Sequence, residues 1–166
     1  MQYLGVEYQM KNPPKLDPTF IPFGVWREAY LKEAKMPIAI AVERNNGQIS
    51  VQKTFIHGTP EMAEADYRYV ERYVKFLLWS IGGFRVTVCG CPALTARLKA
   101  AYSAGGERDF DHTFFFQLYE RELEIIDKPL EECPAANETP KPMGGHMDGC
   151  RIGFDAGGSD RKVSTV

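Results

Sequence analysis

The residues best suited to chemistry lie in the C-terminal segment, which reads RIGFDAGGSDRKVSTV over positions 151–166. The side chains and amides that could contact a phosphate or its metal belong to Asp155, Gly157, Gly158, Ser159 and Lys162. Glycines allow a positive φ and let a ligand approach the main chain closely, so the amides of such a turn can surround a phosphate. A carboxylate at the end of the preceding strand can hold a hydrated Mg²⁺ on the same phosphate. The pattern therefore predicts a β-hairpin that binds phosphate and magnesium.

A plain glycine-rich turn is the alternative interpretation, because Asp, Gly and Ser are common turn residues. The combination of an apolar strand, an aspartate, paired glycines, a hydroxyl and a following lysine is much rarer and favours the phosphate hairpin. Asp160 is an unusual neighbour for that site, since a second carboxylate would repel a triphosphate unless a metal lies between them. Because of this repulsion, the sequence leaves open whether the protein turns over ATP.

The wording GFDAGGSDRKVS resembles the first phosphate motif of the superfamily that contains sugar kinases, heat-shock chaperone ATPases and actin. Within that superfamily it is most similar to the ROK family of sugar kinases and repressors. The resemblance implies transfer of the γ-phosphate of ATP to a sugar hydroxyl, with ATP and Mg²⁺ as cofactors. It further implies that the amides of Gly157, Gly158 and Ser159 cradle phosphates, that Asp155 holds Mg²⁺ through water, and that Lys162 adds positive charge.

In such kinases the other nucleotide and sugar motifs follow this hairpin, so we expect residues 1–166 to be the front part of a longer protein and inactive alone. The alternative within the same superfamily is a non-catalytic sugar-sensing regulator or a protein-interaction module, and a homodimer is left open. Nucleic acid is not an expected partner, because the net charge is −2 with both signs mixed and no basic recognition helix is evident.

Composition and cysteine usage are those of a cytoplasmic protein. Hydrophobic residues make up 44% and charged residues 25% of the chain, and no apolar run approaches the length of a membrane span. The N-terminus lacks the features of a secretory signal. A zinc site could be imagined from Cys89, Cys91, Cys133, His146 and Cys150, but the Cys-x-Cys spacing disfavours it.

Turn and cap signals predict the elements that position the hairpin. Asn46-Gly47 between two β-prone runs predicts a hairpin of strands 38–44 and 48–56. Thr59-Pro60 predicts the start of a helix that runs to Ile81, where Gly82-Gly83 ends it. Its predicted apolar side holds Tyr67, Val70, Val74, Phe76, Leu77 and Trp79. The remaining predicted elements are helix 23–35, strand 84–90, helices 92–102 and 109–121, and strand 122–126.

The expected fold class is α/β, with helices packed on one sheet. We divide the chain into an N-terminal arm and helix (1–36), an α/β accessory domain (37–127), a Pro/Gly-rich linker without regular structure (128–148), and the start of an actin-like, ribonuclease H-like ATPase domain (149–166). The segment RVTVCGCPALTARLKAAY is also similar to the strand–glycine–helix adenosine motif of sugar kinases. This second resemblance suggests that the accessory domain is a degenerate actin-like ATPase lobe that serves as scaffold.

Overall fold

The computed structural model describes residues 1–140, 144–145 and 148–166, and these form a mixed α/β protein. The elements in chain order are β1 (Gln2–Tyr3), β2 (Val6–Glu7), α1 (Phe23–Glu33), β3 (Met36–Glu43), β4 (Ile49–Ile56), α2 (Ala63–Ile81), β5 (Arg85–Cys89), α3 (Pro92–Ala101), α4 (Asp109–Tyr119), β6 (Glu124–Lys128), β7 (Ile152–Ala156) and β8 (Arg161–Thr165). The α/β fold class expected from the sequence is confirmed at this level.

The central sheet has four strands in the order β4–β3–β5–β6. Strand β3 pairs antiparallel with both β4 and β5, whereas β5 and β6 are parallel and are joined through α3 and α4. The predicted single sheet with packed helices is therefore confirmed. Strand β6 starts two residues later than predicted, because Glu120 ends α4 with a φ of 54° and residues 121–123 form a loop.

The local signals for the β3–β4 hairpin and for the end of α2 act as predicted. Asn46 and Gly47 both have positive φ, 64° and 67°, which is the geometry that favours Asn-Gly in tight connections. Gly82, with a φ of 75°, ends α2 and donates its amide hydrogen to Leu78 O at 3.0 Å. Thr59 and Pro60 do stand at the N-cap and the first helical position, but they open a 3₁₀ turn, Pro60–Met62, that leads into α2 at Ala63. The predicted capping hydrogen bond from the Thr59 side chain is absent.

All four helices pack on one face of the central sheet. That face presents Ile38, Ile40 and Val42 of β3 together with Val86 and Val88 of β5, all of them at most 1% exposed. The helices contribute Trp26, Tyr30, Val70, Val74, Leu78, Leu98 and Phe115 to the same buried cluster. The expected apolar side of α2 is wrong at two positions, because Phe76 is 63% and Trp79 is 48% exposed.

The N-terminal arm contains a small hairpin, β1–β2, for which the sequence predicted no element. Trp26 holds it in place, since its indole Nε1–H donates to Tyr3 O at 3.0 Å and its ring meets that of Tyr3 edge to face. Val6 and Tyr8 are also buried. The arm therefore packs into the same core as α1.

Residues 129–139 cross the second face of the central sheet, although the composition had predicted a linker without regular structure. Leu130–Glu132 form a 3₁₀ turn, and residues 133–136 line a groove with Ala39 and Val51 of that face. At the far edge Asn137 exchanges both backbone hydrogen bonds with Ile49, at 2.9 and 3.0 Å. This segment is thus attached to the sheet as far as residue 138, whose carboxylate contacts Ser50 and Arg44.

Candidate functional site

The C-terminal segment forms the hairpin that its sequence predicts. Strands β7 and β8 pair antiparallel, with Asp155 opposite Lys162 and Ala156 opposite Arg161. The ladder extends to the end of the chain, where Arg151 and Val166 exchange two backbone hydrogen bonds of 2.9 and 3.0 Å. Residues 157–160 make the turn, and the whole hairpin is exposed.

The two faces of the hairpin have different chemistry because side chains alternate along each strand. One face carries Ile152, Phe154 and Val163, which are 72%, 65% and 62% exposed. The other face carries Asp155 and its cross-strand partner Lys162. The structure therefore brings the predicted carboxylate and cation together on one side, directly before the glycine turn.

Of the two glycines of the turn, only Gly157 is required by the structure, and for a different reason from the one predicted. Neither Gly157 nor Gly158 has a positive φ, so the expectation that they supply left-handed backbone is wrong. A Cβ at Gly157 would lie 2.8 Å from both the main-chain oxygen and Oδ1 of Asp160, which is closer than real contacts allow. Around Gly158 there is no atom within 4 Å of such a Cβ. Gly157 thus closes the turn, and Gly158 leaves its outer side open.

The charges of the turn are paired with one another. Lys162 Nζ lies 3.1 Å from Asp160 Oδ2 and 3.9 Å from Asp155 Oδ2. Lys162 therefore offsets part of the repulsion that Asp160 would exert on a phosphate. These side chains are more than half exposed, and exposed ion pairs contribute at most about 1 kcal/mol, so a phosphate or a metal can displace them.

The turn and the strand ends beside it offer backbone amide donors and two carboxylates, those of Asp155 and Asp160. Within the described part of the chain, the amides of Gly158 and Ser159 donate to no backbone acceptor. No group of three His, Cys, Asp or Glu residues that could hold a metal ion occurs among the described residues. Mg²⁺ at Asp155 would therefore have to complete its coordination with water and phosphate oxygens, which is how Mg²⁺ is usually bound.

The cysteines considered for zinc are divided between the two sides of the central sheet. Cys89 is buried on the second face, where it hydrogen bonds with Cys133. Burial, and then this hydrogen bond, raise the pKa of Cys89 to about 12, so the thiol stays protonated. Cys91 instead lines a cleft between α2 and α3. His146 lies outside the described residues.

That cleft, of about 270 Å³, is a site that sequence reasoning missed. It lies where β5 ends and α3 begins, the edge of an α/β sheet at which ligands commonly bind. Asp66 lines it but is occupied: it accepts hydrogen bonds from Tyr30 Oη at 2.5 Å, from the Gly58 amide at 2.8 Å and from the His57 amide at 3.0 Å. The strand–Gly90–helix pattern was the signal for this edge, and Gly90 does have a positive φ of 101°.

Comparisons of the chain with models of protein families, with curated proteins and with solved structures found no match. None of the described helices combines the length and the apolar character needed to cross a bilayer.

Proposed function

We propose that the β7–β8 hairpin is a phosphate-binding element of an ATP-dependent sugar kinase of the ROK type. The observation that carries the proposal is the exposed turn at residues 157–160, with Asp155 and Lys162 side by side on the face that leads into it. Sugar as the phosphate acceptor, ATP as the donor and a cytoplasmic location rest on the resemblance of GFDAGGSDRKVS to that family.

In this proposal each residue of the hairpin has one role. The amides of Gly157, Gly158 and Ser159 donate to phosphate oxygens, Asp155 holds hydrated Mg²⁺, and Lys162 leaves Asp160 to approach the phosphates. Phosphoryl transfer depends mainly on positioning and on electrostatic stabilisation, so these contacts would orient ATP without themselves reacting. A hairpin supplies only one wall of a nucleotide cleft, and we therefore expect millimolar affinity from residues 1–166 alone.

The scaffold role of residues 37–127 is part of the same proposal. Strand β5, Gly90 and α3 have the strand–glycine–helix order of the adenosine motif, and a Cβ at Gly90 would lie 3.1 Å from Pro37 O. The β3–β4 connection has neither paired glycines nor a hydroxyl in the place where the hairpin has them. We propose a degenerate actin-like lobe that supports the hairpin and binds no phosphate of its own.

The test is a titration of the chain with Mg·ATP, followed residue by residue through amide chemical shifts. We expect shifts concentrated at Gly157, Gly158 and Ser159, since fast exchange makes millimolar binding visible. Gly158→Val should weaken this binding at least about tenfold, because the added side chain occupies open space in the hairpin but blocks the approach of a ligand. Gly144→Val is the matched control, because a Cβ there also meets no atom within 4 Å.

The metal contribution is tested by Asp155→Asn, with Asp148→Asn as a control at another exposed carboxylate. We expect Asp155→Asn to remove the dependence of the shifts on Mg²⁺ and to leave the hairpin ladder intact. If Mg·ATP shifts no amide of the turn at millimolar concentration, or if Gly158→Val binds as well as the wild type, the hairpin is an ordinary turn and the proposal fails.

A further inference from the structure

Strand β4 is one edge of the central sheet, and most of its outer side is unpaired. At its first residue, Ile49 exchanges two backbone hydrogen bonds with Asn137, so the amide and the carbonyl of Ile49 point away from β3. Because these directions alternate along a strand, the amides and carbonyls of Val51, Lys53 and Phe55 also point outward. Among the described residues, the bridge to Asn137 is the only backbone pairing on this side of β4.

The segment 129–139 leaves the β4 edge after that single bridge. It turns onto the second face of the sheet, where residues 134–136 line one wall of a groove of about 750 Å³. Pro134 has no N–H and could not donate a hydrogen bond to the edge. The side chains of Val51, Lys53 and Phe55 line the same groove from the strand. The edge and the groove therefore form one surface, with backbone hydrogen-bonding groups beside an apolar hollow.

The chemistry of this surface is complementary to an extended peptide. Backbone donors and acceptors that repeat at every second residue are satisfied by an added strand, and the pockets beside them select its alternate side chains. Lys53 is exposed and stands between the apolar side chains of Val51 and Phe55. Within the part of the chain that the structure describes, Lys53 makes no ion pair. An acidic residue directly opposite a lysine stabilises a pair of strands, so the added strand should carry a carboxylate at that position.

The same lysine disfavours a second copy of this chain as the occupant. Antiparallel pairing of two β4 edges about Lys53 would place two ammonium groups directly opposite each other, which is destabilising. Lysine on an edge strand is a common means by which proteins prevent such pairing. For a strand with an acidic residue at that position, the repulsion becomes an attraction, and Lys53 thereby discriminates between the two occupants by charge.

We propose that the outer edge of β4 and the adjoining groove bind an extended peptide of the pattern apolar–x–acidic–x–apolar as an added antiparallel strand. The acidic residue lies opposite Lys53, and the two apolar residues lie opposite Val51 and Phe55 and cover the hollow. The antiparallel direction is that of the existing bridge between Ile49 and Asn137. This inference is independent of the phosphate-binding proposal, because no residue of the β7–β8 hairpin takes part in it.

The test is a titration of the whole chain with the peptide acetyl-TVTDTVT-amide, followed by amide chemical shifts. We expect saturable binding with shifts concentrated at Val51, Lys53 and Phe55. Methylation of the backbone nitrogen of the peptide's aspartate removes a donor that faces β4, and it should weaken binding at least about tenfold. The matched control is methylation of the backbone nitrogen of the threonine that follows the aspartate. Its N–H faces solvent in the added strand, so this peptide should bind like the parent.

A charge exchange tests the role of Lys53 with a gain of binding as well as a loss. Lys53→Glu should weaken binding of acetyl-TVTDTVT-amide at least about tenfold and should bind acetyl-TVTKTVT-amide more tightly than the wild type does. Lys15→Glu is the matched control, because it makes the same change of charge at an exposed lysine outside every helix and strand. It should keep the preference for the acidic peptide. Circular dichroism would verify that each variant is folded.

Three results would overturn the proposal. The first is that acetyl-TVTDTVT-amide shifts no amide of β4 at millimolar concentration. The second is that both methylated peptides bind equally well, or that Lys53→Glu still prefers the acidic peptide. The third is that sedimentation velocity shows a dimer which Lys53→Glu alters and the peptide does not dissociate, because the occupant of the edge would then be a second copy of the chain.

Discussion

Glu71 is the residue whose replacement should test the packing of α2 against α4 most sharply. Its side chain is fully buried, and Oε1 accepts a hydrogen bond from Arg108 Nε at 2.5 Å. The Arg108 side chain is itself only 18% exposed. Removing one partner of such a pair leaves a charge in the interior, which typically costs about 3–5 kcal/mol. We therefore expect Glu71→Met to lower the free energy of unfolding by about that amount.

Replacing both partners should restore most of the stability. A buried ion pair exchanged for apolar side chains of similar volume is often neutral or stabilising, because the desolvation cost of both charges disappears. The polar groups here are also incompletely satisfied: the buried hydroxyl of Tyr102 has no hydrogen-bond partner among the described residues. We expect the double variant Glu71→Met/Arg108→Met to lie within about 1–2 kcal/mol of the wild type.

Urea denaturation followed by tryptophan fluorescence measures the unfolding free energy of the wild type, of each single variant and of the double variant. With a slope of about 1–3 kcal/mol per molar urea, Glu71→Met should move the midpoint by roughly 2 M. Glu64→Met is the matched control on the same helix, because Glu64 is 52% exposed and its pair with Arg97 is worth at most about 1 kcal/mol. If Glu71→Met costs no more than Glu64→Met, or if the double variant is as unstable as Glu71→Met, the reasoning is refuted.

Two further predictions concern proton equilibria. Burial and the hydrogen bond with Cys133 raise the pKa of Cys89 to about 12, so the Cys89 thiol should resist alkylation in the native chain at mildly alkaline pH. The exposed Cys150 should react under the same conditions. Peptide mapping by mass spectrometry measures both rates, and similar labelling of the two cysteines would contradict the prediction. The hydrogen bond from Arg68 holds the pKa of Glu107 below its ordinary value of 4.5, so its stabilising contribution is present above that pH and is lost as the pH falls through the native value. The difference in unfolding free energy between the wild type and Glu107→Gln should therefore shrink in acid, and a constant difference would count against it.

The parts of the fold that the sequence predicted are those set by local chemistry. Asn46-Gly47 specifies the β3–β4 turn through positive φ, and Gly82 ends α2 for the same reason. The parts that it did not predict depend on distant contacts. The two-residue strands of the N-terminal hairpin exist because Trp26 packs on Tyr3, 23 residues away in the chain. Residues 129–139 follow the sheet because of pairing with Ile49, which composition does not reveal.

For the candidate site, too, the sequence predicted the features that depend on local chemistry and missed those that depend on three-dimensional shape. The pairing of β7 with β8 and the position of Asp155 opposite Lys162 follow from the alternation of the sequence. The role of Gly157 could not be predicted from the sequence, because its closeness to Asp160 depends on the shape of the turn. The exposure of Phe76 and Trp79 was also missed. Helical spacing alone could not show that only the side of α2 bearing Val70, Val74 and Leu77 faces the sheet.

The attachment of residues 129–139 to the second face has a consequence for synthesis on the ribosome. The strands of the central sheet are complete once residue 128 has emerged, but the groove over Ala39 and the start of the β4 edge are closed only by residues that follow. Asn137 pairs with Ile49, the first residue of the edge strand β4, and can do so only after every strand of the central sheet has been synthesised. Because unpaired sheet edges can recruit other strands, we expect a nascent chain that ends before residue 137 to be more prone to association than the longer chain.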